Sequence, residues 1–146
     1  MTVVDPIFID TNILVFATIP GSPFHRPAIQ ALHGIAQSGS VGWISRQVIR
    51  EYLVQLTRPG ILPIPLSLTD LPGQINALQR IYQVANETPQ VTLELLGFIQ
   101  NGLAAGKQIH DANIVATCIA YKIPRLLTHN MADFKRYSSV LHIETL

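Results

Sequence analysis

The sequence predicts an α/β fold, a mainly parallel sheet of four to five short strands with helices on both faces. Three observations carry this expectation. Short continuous apolar runs, such as Ile7-Phe8-Ile9 and Val41-Gly42-Trp43-Ile44, read as buried strands. Longer stretches with apolar residues at helical spacing lie between them. Strands separated by helices imply a parallel sheet covered from both sides.

The elements follow in order. After the first strand, Asp10-Thr11-Asn12 offers capping side chains to a short helix through Ile13-Leu14-Val15-Phe16-Ala17. Pro20-Gly21-Ser22-Pro23 is a turn. The stretch from Arg26 to Gln37 has helical spacing and ends at Ser38-Gly39-Ser40. Ser45 caps the helix after the second strand, in which Val48, Ile49, Tyr52, Leu53 and Leu56 form one apolar stripe. From Pro59 to Gly73 the chain is rich in proline and reads as an extended connection. Asp70 is expected to cap a helix running to about Ala85. Thr88-Pro89 opens another, which is expected to end near Gly106. Asp111 opens a helix through Tyr121, Pro124–Thr128 is a third strand, a short helix spans about Asp133 to Tyr137, and Val140–Ile143 is the last strand. No internal repeat or low-complexity segment is evident.

Bulk properties bound the function. A length of 146 residues fits one domain, 1–146, with a single core. Charged residues make up only 13% of the chain, against about 25% in ordinary globular proteins. That scarcity, with the apolar helical faces, points to a homodimer or higher oligomer. A formal net charge of +1 gives no bulk electrostatic case for nucleic acid, so any such case must be local. The single Cys118 excludes an intrachain disulfide and suits a reducing compartment, so a cytoplasmic location is expected. The N-terminus lacks the basic region of a signal peptide, and no apolar run approaches the roughly 20 residues of a membrane helix.

The chemistry lies in four carboxylates, Asp10, Glu51, Asp111 and Asp133, out of nine acidic residues. Each stands near a junction between an apolar segment and a helix or loop start. In open parallel sheets, sites form beyond the carboxyl ends of the strands, so one sheet edge could collect all four. Converging carboxylates repel one another and lose hydration, which a bound cation relieves. Oxygen donors with no His or Cys pair at ligand spacing favour Mg²⁺ or Mn²⁺ over Zn²⁺. Such ions activate water and stabilise displacement at phosphorus, so phosphodiester hydrolysis is the chemistry this arrangement serves best.

Each carboxylate has a plainer explanation. Asp10, Asp111 and Asp133 could be helix caps or first-turn acids. Glu51 could pair with Arg46 or Arg50, or face solvent. Asn130 with Asp133 three residues on has the form of a capping box. Taken jointly, the four need a separate explanation each under that view, which weakens it. Asp10-Thr11-Asn12 is also similar to the strand-end nucleophile of aspartyl-phosphate phosphatases. Those enzymes carry a second Asp two residues on, where this chain has Asn12.

The ordered motifs resemble a known family. Ile9-Asp10-Thr11-Asn12, Ser45-Arg46-Gln47-Val48-Ile49-Arg50-Glu51-Tyr52-Leu53, His110-Asp111-Ala112-Asn113-Ile114-Val115-Ala116 and Leu127-Thr128-His129-Asn130-Met131-Ala132-Asp133-Phe134 resemble the four motifs of the PIN-domain ribonucleases. They most resemble those of the VapC-type toxins of bacterial toxin–antitoxin pairs. The resemblance covers essentially the whole chain. It implies a three-layer α/β/α sandwich, Mg²⁺ or Mn²⁺, cleavage of single-stranded RNA, dimerisation, and inhibition by a cognate antitoxin. By position, Asp10, Glu51, Asp111 and Asp133 would be catalytic and hold the metal, with Thr11 and Asn130 supporting them by hydrogen bonds. Arg46, Arg50 and Arg125 are candidates to steady the RNA backbone. The proline-rich stretch after Arg58 matches no common motif of that family.

The leading expectation is therefore a metal-dependent endoribonuclease acting as a toxin. The alternatives are a nuclease for structured nucleic acid without an antitoxin, or a catalytically silent binding module of the same fold. The intact set of four acids argues against silence, since a binding module has no need of carboxylates that repel one another.

Overall fold

The computed structural model describes residues 4–61 and 67–146. Among them, five strands form one parallel sheet in the order β3-β2-β1-β4-β5. The strands are β1 (Ile7–Ile9), β2 (Gly42–Ser45), β3 (Gln83–Ala85), β4 (Arg125–Leu127) and β5 (His142–Glu144). Seven α-helices lie between and beside them: α1 (Thr11–Thr18), α2 (His25–Ser38), α3 (Arg46–Leu56), α4 (Leu71–Ile81), α5 (Pro89–Gln100), α6 (Gln108–Ala120) and α7 (Met131–Phe134). Helix α1 packs on α2 and α3, whereas α5 packs on α6 and α6 on α7. The chain steps outward from β1 to β2 and β3, then returns to the other side of β1 for β4 and β5. Right-handed crossovers in opposite directions place the two helix groups on opposite faces. This is the three-layer sandwich expected from the sequence.

The core explains the apolar runs. Ile7, Phe8 and Ile9 are all buried, as a central strand covered on both faces requires. Val48, Ile49, Tyr52 and Leu56 of α3 are buried with them, so that stripe faces inward as expected. From α6, Ile114, Val115 and Cys118 close the core from the other helix group. Cys118 is fully buried, and burial pushes its thiol far above the ordinary range, so it is chemically inert.

The elements differ from the sequence expectation at several places. Helix α4 stops at Ile81 rather than near Ala85, and Gln83–Ala85 forms an edge strand paired with Trp43–Ser45 of β2. Three residues are too few to show a strand period, and pairing with β2 decides their conformation. Helix α5 ends at Gln100 rather than near Gly106. Gly102 takes a left-handed φ of 74°, its N–H donates to the Ile99 carbonyl, and the Leu103 N–H donates back to Phe98. That is a Schellman stop, signalled by Asn101-Gly102. Helix α6 begins at Gln108, so Asp111 lies in its first turn rather than at its cap. Asp70 does not cap α4 through its side chain; it closes a capping box with Ser67 one turn earlier. The last strand runs His142–Glu144, two residues later than Val140. Of the proline-rich stretch, residues 62–66, with Pro63 and Pro65, lie outside the described residues. No described helix is long and apolar enough to cross a membrane.

Gly42 is required by packing. A Cβ there would stand 2.7 Å from the Tyr82 ring and 3.3 Å from Ile9. We predict that Gly42→Ala destabilises the fold by about 1–3 kcal/mol, the usual cost of overpacking. Urea unfolding checks this; a wild-type midpoint would show that Tyr82 moves aside freely.

Candidate active site

The strand order fixes where a site can form. Connections leave β1 in one direction towards β2, and β4 lies on the other side, so the sheet has its switch point between β1 and β4. Ligand crevices in open α/β sheets open there, beyond the carboxyl ends of the strands. Asp10 follows β1 and Thr128 follows β4, so the two face each other across that crevice.

Asp10 is held on every side. Its N–H donates to the Leu127 carbonyl at 3.0 Å, which extends the β1–β4 pairing by one residue. Its carboxylate Oδ1 accepts from the Thr11 N–H at 2.8 Å, capping α1. Its Oδ2 accepts from Thr128 Oγ1 at 2.7 Å and from Asn12 Nδ2 at 3.4 Å. Thr128 is fully buried, and its hydroxyl also accepts from the Asn130 N–H. Asn12 Oδ1 accepts from the His129 N–H at 3.1 Å. The loops after β1 and β4 are thus laced together around one carboxylate.

Glu51 reaches the same place from α3. Its Oε2 accepts from Thr11 Oγ1 at 2.7 Å and its Oε1 from Gln47 Nε2 at 2.8 Å. The buried Gln47 also donates to the His110 carbonyl and accepts from Asn113 Nδ2, both at 2.8 Å. One glutamine therefore ties α3 to the start of α6, which carries Asp111. Asp10, Glu51 and Asp111 line one cavity of about 430 Å³, together with Asn130. Val15, Phe16 and Val54 give it an apolar wall.

Electrostatics single out two of the acids. Burial is the main cause that raises Asp10 to about 6, against hydrogen bonds from Thr128 and Thr11 that lower it; Glu51 and Asp111 add repulsion. Asp111 is also raised to about 6, by burial first and then by Asp133 and Glu51. The ion pairs among the described residues, Arg50–Glu87, Arg125–Glu144 and His142–Glu144, involve none of these four acids. Their charge is therefore left without a cationic side chain in contact.

The structure places the expected residues unequally. Asp10, Glu51, Asp111 and Asn130 share the cavity, and Thr11 lies in its wall. Asp133 is exposed on α7 and is not part of the cavity lining, although its charge acts on Asp111. Asn130 makes no side-chain cap bond to α7, so the capping-box reading is not realised. Arg46 bonds Asn86 and Gln79, and Arg50 lies 3.9 Å from Glu87, so neither pairs with Glu51. Both follow β2, at the cavity edge of the sheet. Arg125 starts β4, in register with Ile7, and so lies at the opposite edge. There it donates to Glu144 through Nε at 2.6 Å and to the Asp5 carbonyl. That placement removes it from the candidate substrate contacts. Gln47 and Thr128 were not singled out from the sequence. Their signals are position: Gln47 lies one helical turn before Glu51, and Thr128 follows β4 as Asp10 follows β1.

Whether the donors fit a cation can be judged from their chemistry. Among the described residues no three His, Cys, Asp or Glu side chains stand close enough together to chelate an ion as placed. Asp10, Glu51 and Asp111 instead line the cavity from separate elements. All are hard oxygen donors that take part in no ion pair among the described residues, although His110 and Arg136 partly offset the charge on Asp111, and such donors suit a partly hydrated Mg²⁺ or Mn²⁺.

Fold and site define an α/β chain with an acidic cleft at its switch point. Residues 7–139 match the PIN domain, and the chain belongs to that family. No curated protein matches it in sequence. Among solved structures it is similar to VapBC2 from Rickettsia felis bound to a promoter DNA fragment, with a TM-score of 0.66 and 20% identity over 96% of this chain and 98% of that one. It is also similar to VapBC-1 from nontypeable Haemophilus influenzae, with a TM-score of 0.67 and 19% identity over 95% and 96% of the two chains. VapC20 from Mycobacterium tuberculosis, a Sarcin-Ricin loop cleaving toxin, matches with a TM-score of 0.62 and 17% identity over 82% and 86%. At these identities the likeness establishes the fold.

A raised carboxyl pKa makes the folded state bind protons that the unfolded state releases. Stability of the metal-free protein should therefore rise as pH falls from about 6 towards 3.8, the window between the folded and ordinary values. We predict that Asp111→Asn raises the melting temperature at pH 7 without divalent metal, since no hydrogen bond to the Asp111 carboxylate is lost. Asp10→Asn should not, because both carboxylate oxygens accept hydrogen bonds and the amide NH2 would face either the Thr11 N–H or the Thr128 and Asn12 donors. Calorimetry at pH 7 and pH 5 checks both; a lower melting temperature for Asp111→Asn at pH 7 would contradict this electrostatic account.

Proposed function

We propose that this chain is a Mg²⁺- or Mn²⁺-dependent endoribonuclease that cleaves single-stranded RNA and serves as the toxin of a toxin–antitoxin pair. The observation that carries the reading is the meeting of Asp10, Glu51 and Asp111 at one cavity of a PIN-domain fold. Asp10, Glu51 and Asp111 would hold the ion, with Asp133 contributing from the rim. When bound, such an ion supplies an activated water and neutralises charge developing at phosphorus. The chain's own residues set the geometry. Thr128 and the Thr11 N–H fix Asp10, while the Thr11 hydroxyl and Gln47 fix both oxygens of Glu51. Arg46 and Arg50, on the helix that carries Glu51, would be the cations to meet flanking phosphates, exchanging their contacts with Asn86, Gln79 and Glu87 for them. Asn130 offers a neutral amide to substrate or to a metal-bound water.

The partner reading rests on the neighbours, which include VapBC assemblies from several bacteria. A cleft of unpaired carboxylates attracts a cation from a partner chain as well as a metal. An arginine of an antitoxin tail would satisfy that field with bidentate hydrogen bonds and block substrate. The cytoplasmic location expected from the sequence accords with an RNA substrate. A second copy of the chain is the expected companion for α5, where Leu93, Leu96 and Ile99 are 63%, 46% and 40% exposed on one side of the helix.

Two experiments test this. We expect Asp10→Asn and Glu51→Gln each to lower Mn²⁺-dependent cleavage of single-stranded RNA by about 100-fold or more while circular dichroism stays native, in line with the weight of metal catalysis. Near-wild-type cleavage by both would sink the metal-site assignment. Sedimentation at tens of micromolar should give a dimer mass, and Leu96→Glu should shift it towards monomer. A wild-type monomer would remove the proposed role of α5.

A further inference from the structure

Beside the acidic cavity stands a group of rings that the cleavage chemistry does not use. Phe16 lines the cavity with Asp10 and Asn130. Its ring centroid lies 5.1 Å from that of His129, edge-on at 88°, and 5.0 Å from that of Phe24. Phe24 lies 4.2 Å from His129. Phe16 and Phe24 differ in what burial does for them. Phe16 packs against the hydrophobic core, whereas Phe24 is 37% exposed. Both of its ring contacts are tilted, at 41° and 50°, so neither neighbour covers a whole face.

Phe24 is held in place by backbone hydrogen bonds. Its N–H donates to Ser22 Oγ at 3.1 Å, and the next N–H, of His25, donates to the Ser22 carbonyl. The His25 ring bonds the Phe16 carbonyl through Nδ1 at 2.8 Å, tying the turn before α2 to α1. His129 is fixed by its N–H to Asn12, next to the Thr128 that bonds Asp10. The rings are therefore registered to the same residues that position the candidate catalytic carboxylate. An aromatic side chain left partly exposed, fixed beside a site for phosphate chemistry, has the form that single-stranded nucleic acids use for stacking.

We propose that Phe24, backed by Phe16 and His129, is a stacking platform for one base of a single-stranded RNA lying next to the phosphate in the acidic cavity. This rests on the nuclease reading for the identity of the ligand and deepens it by naming a contact with a base. The platform is tolerant of sequence, since every base presents a π face. It sets where along the strand the backbone enters the cavity, not which letter is read.

The test compares wild type with Phe24→Ala, Phe24→Leu and Phe24→Trp. Binding of a fluorescein-labelled single-stranded oligoribonucleotide of mixed sequence is measured in Ca²⁺, and cleavage of the same RNA in Mn²⁺. The Ala and Leu variants should bind about fivefold or more weakly, as loss of one base–aromatic stack implies, with KM rising by more than kcat falls. The Trp variant should bind at least as well as wild type. Equal binding by Leu and wild type would overturn the proposal, because apolar bulk would then suffice. So would unchanged RNA binding by the Ala variant together with weakened binding of a partner protein, which would make the rings a protein-docking surface. Ring-dependent binding without any cleavage would leave the platform standing and sink the nuclease reading. Cleavage indifferent to all three variants would do the reverse, and no RNA binding by the wild type would overturn both.

Discussion

Carboxylates that share a cavity without a cation raise the free energy of the folded chain, and most of what is distinctive here follows from keeping them there. Asp10 is nearly removed from water and still accepts three hydrogen bonds, but these do not offset its burial, and its pKa stands near 6. Asp111 is raised to the same level from the opposite helix layer. A protein under selection for stability alone would place apolar or neutral residues at these positions. Holding the charges in place amounts to preorganising a cation site before the cation arrives.

The fold makes this possible through a division of labour. The central strand and the α3 stripe supply burial, and the loops after β1 and β4 supply rigidity. Thr11 is the hinge between them. Its N–H caps through Asp10 and its hydroxyl bonds Glu51, so the first two acidic motifs are coupled through one residue. Gln47 performs the corresponding task between Glu51 and the backbone before Asp111. Asp10 and Glu51 are therefore oriented by neutral donors, which leave their negative charge available. A lysine or arginine in either role would orient the acid equally well but neutralise the site.

Much of this was legible in the sequence. Ile7-Phe8-Ile9 followed by Asp10-Thr11-Asn12 gave both a central strand and a strand-end carboxylate, because burial on both faces leaves an unbroken apolar run. The α3 stripe at helical spacing leaves Glu51 off the core face, because a helix that packs on one side keeps polar residues on the other. The edge strand Gln83–Ala85 was hidden, since three residues at a sheet margin carry no period of their own and depend on β2 for partners. The end of α5 was readable in Asn101-Gly102 but was displaced by a later glycine, Gly106. Arg125 lies near the fourth motif in sequence, yet three strand residues separate the two edges of the sheet, so closeness along the chain did not mean closeness in space. Gln47 and Thr128 carry no chemistry alone and acquire their roles only from the acids they touch.

The central claim is that the cavity's excess negative charge exists to hold a divalent ion. Calorimetric titration of the RNA-free protein with Mn²⁺ at pH 6, in two buffers of different ionisation enthalpy, tests it most directly. With Asp10 and Asp111 part-protonated near that pH, binding should release protons, and the release should diminish by pH 8. Asp111→Asn should weaken the binding and reduce the release together. Mn²⁺ binding that releases no proton at pH 6 and is indifferent to Asp111→Asn would place the metal elsewhere and contradict the account.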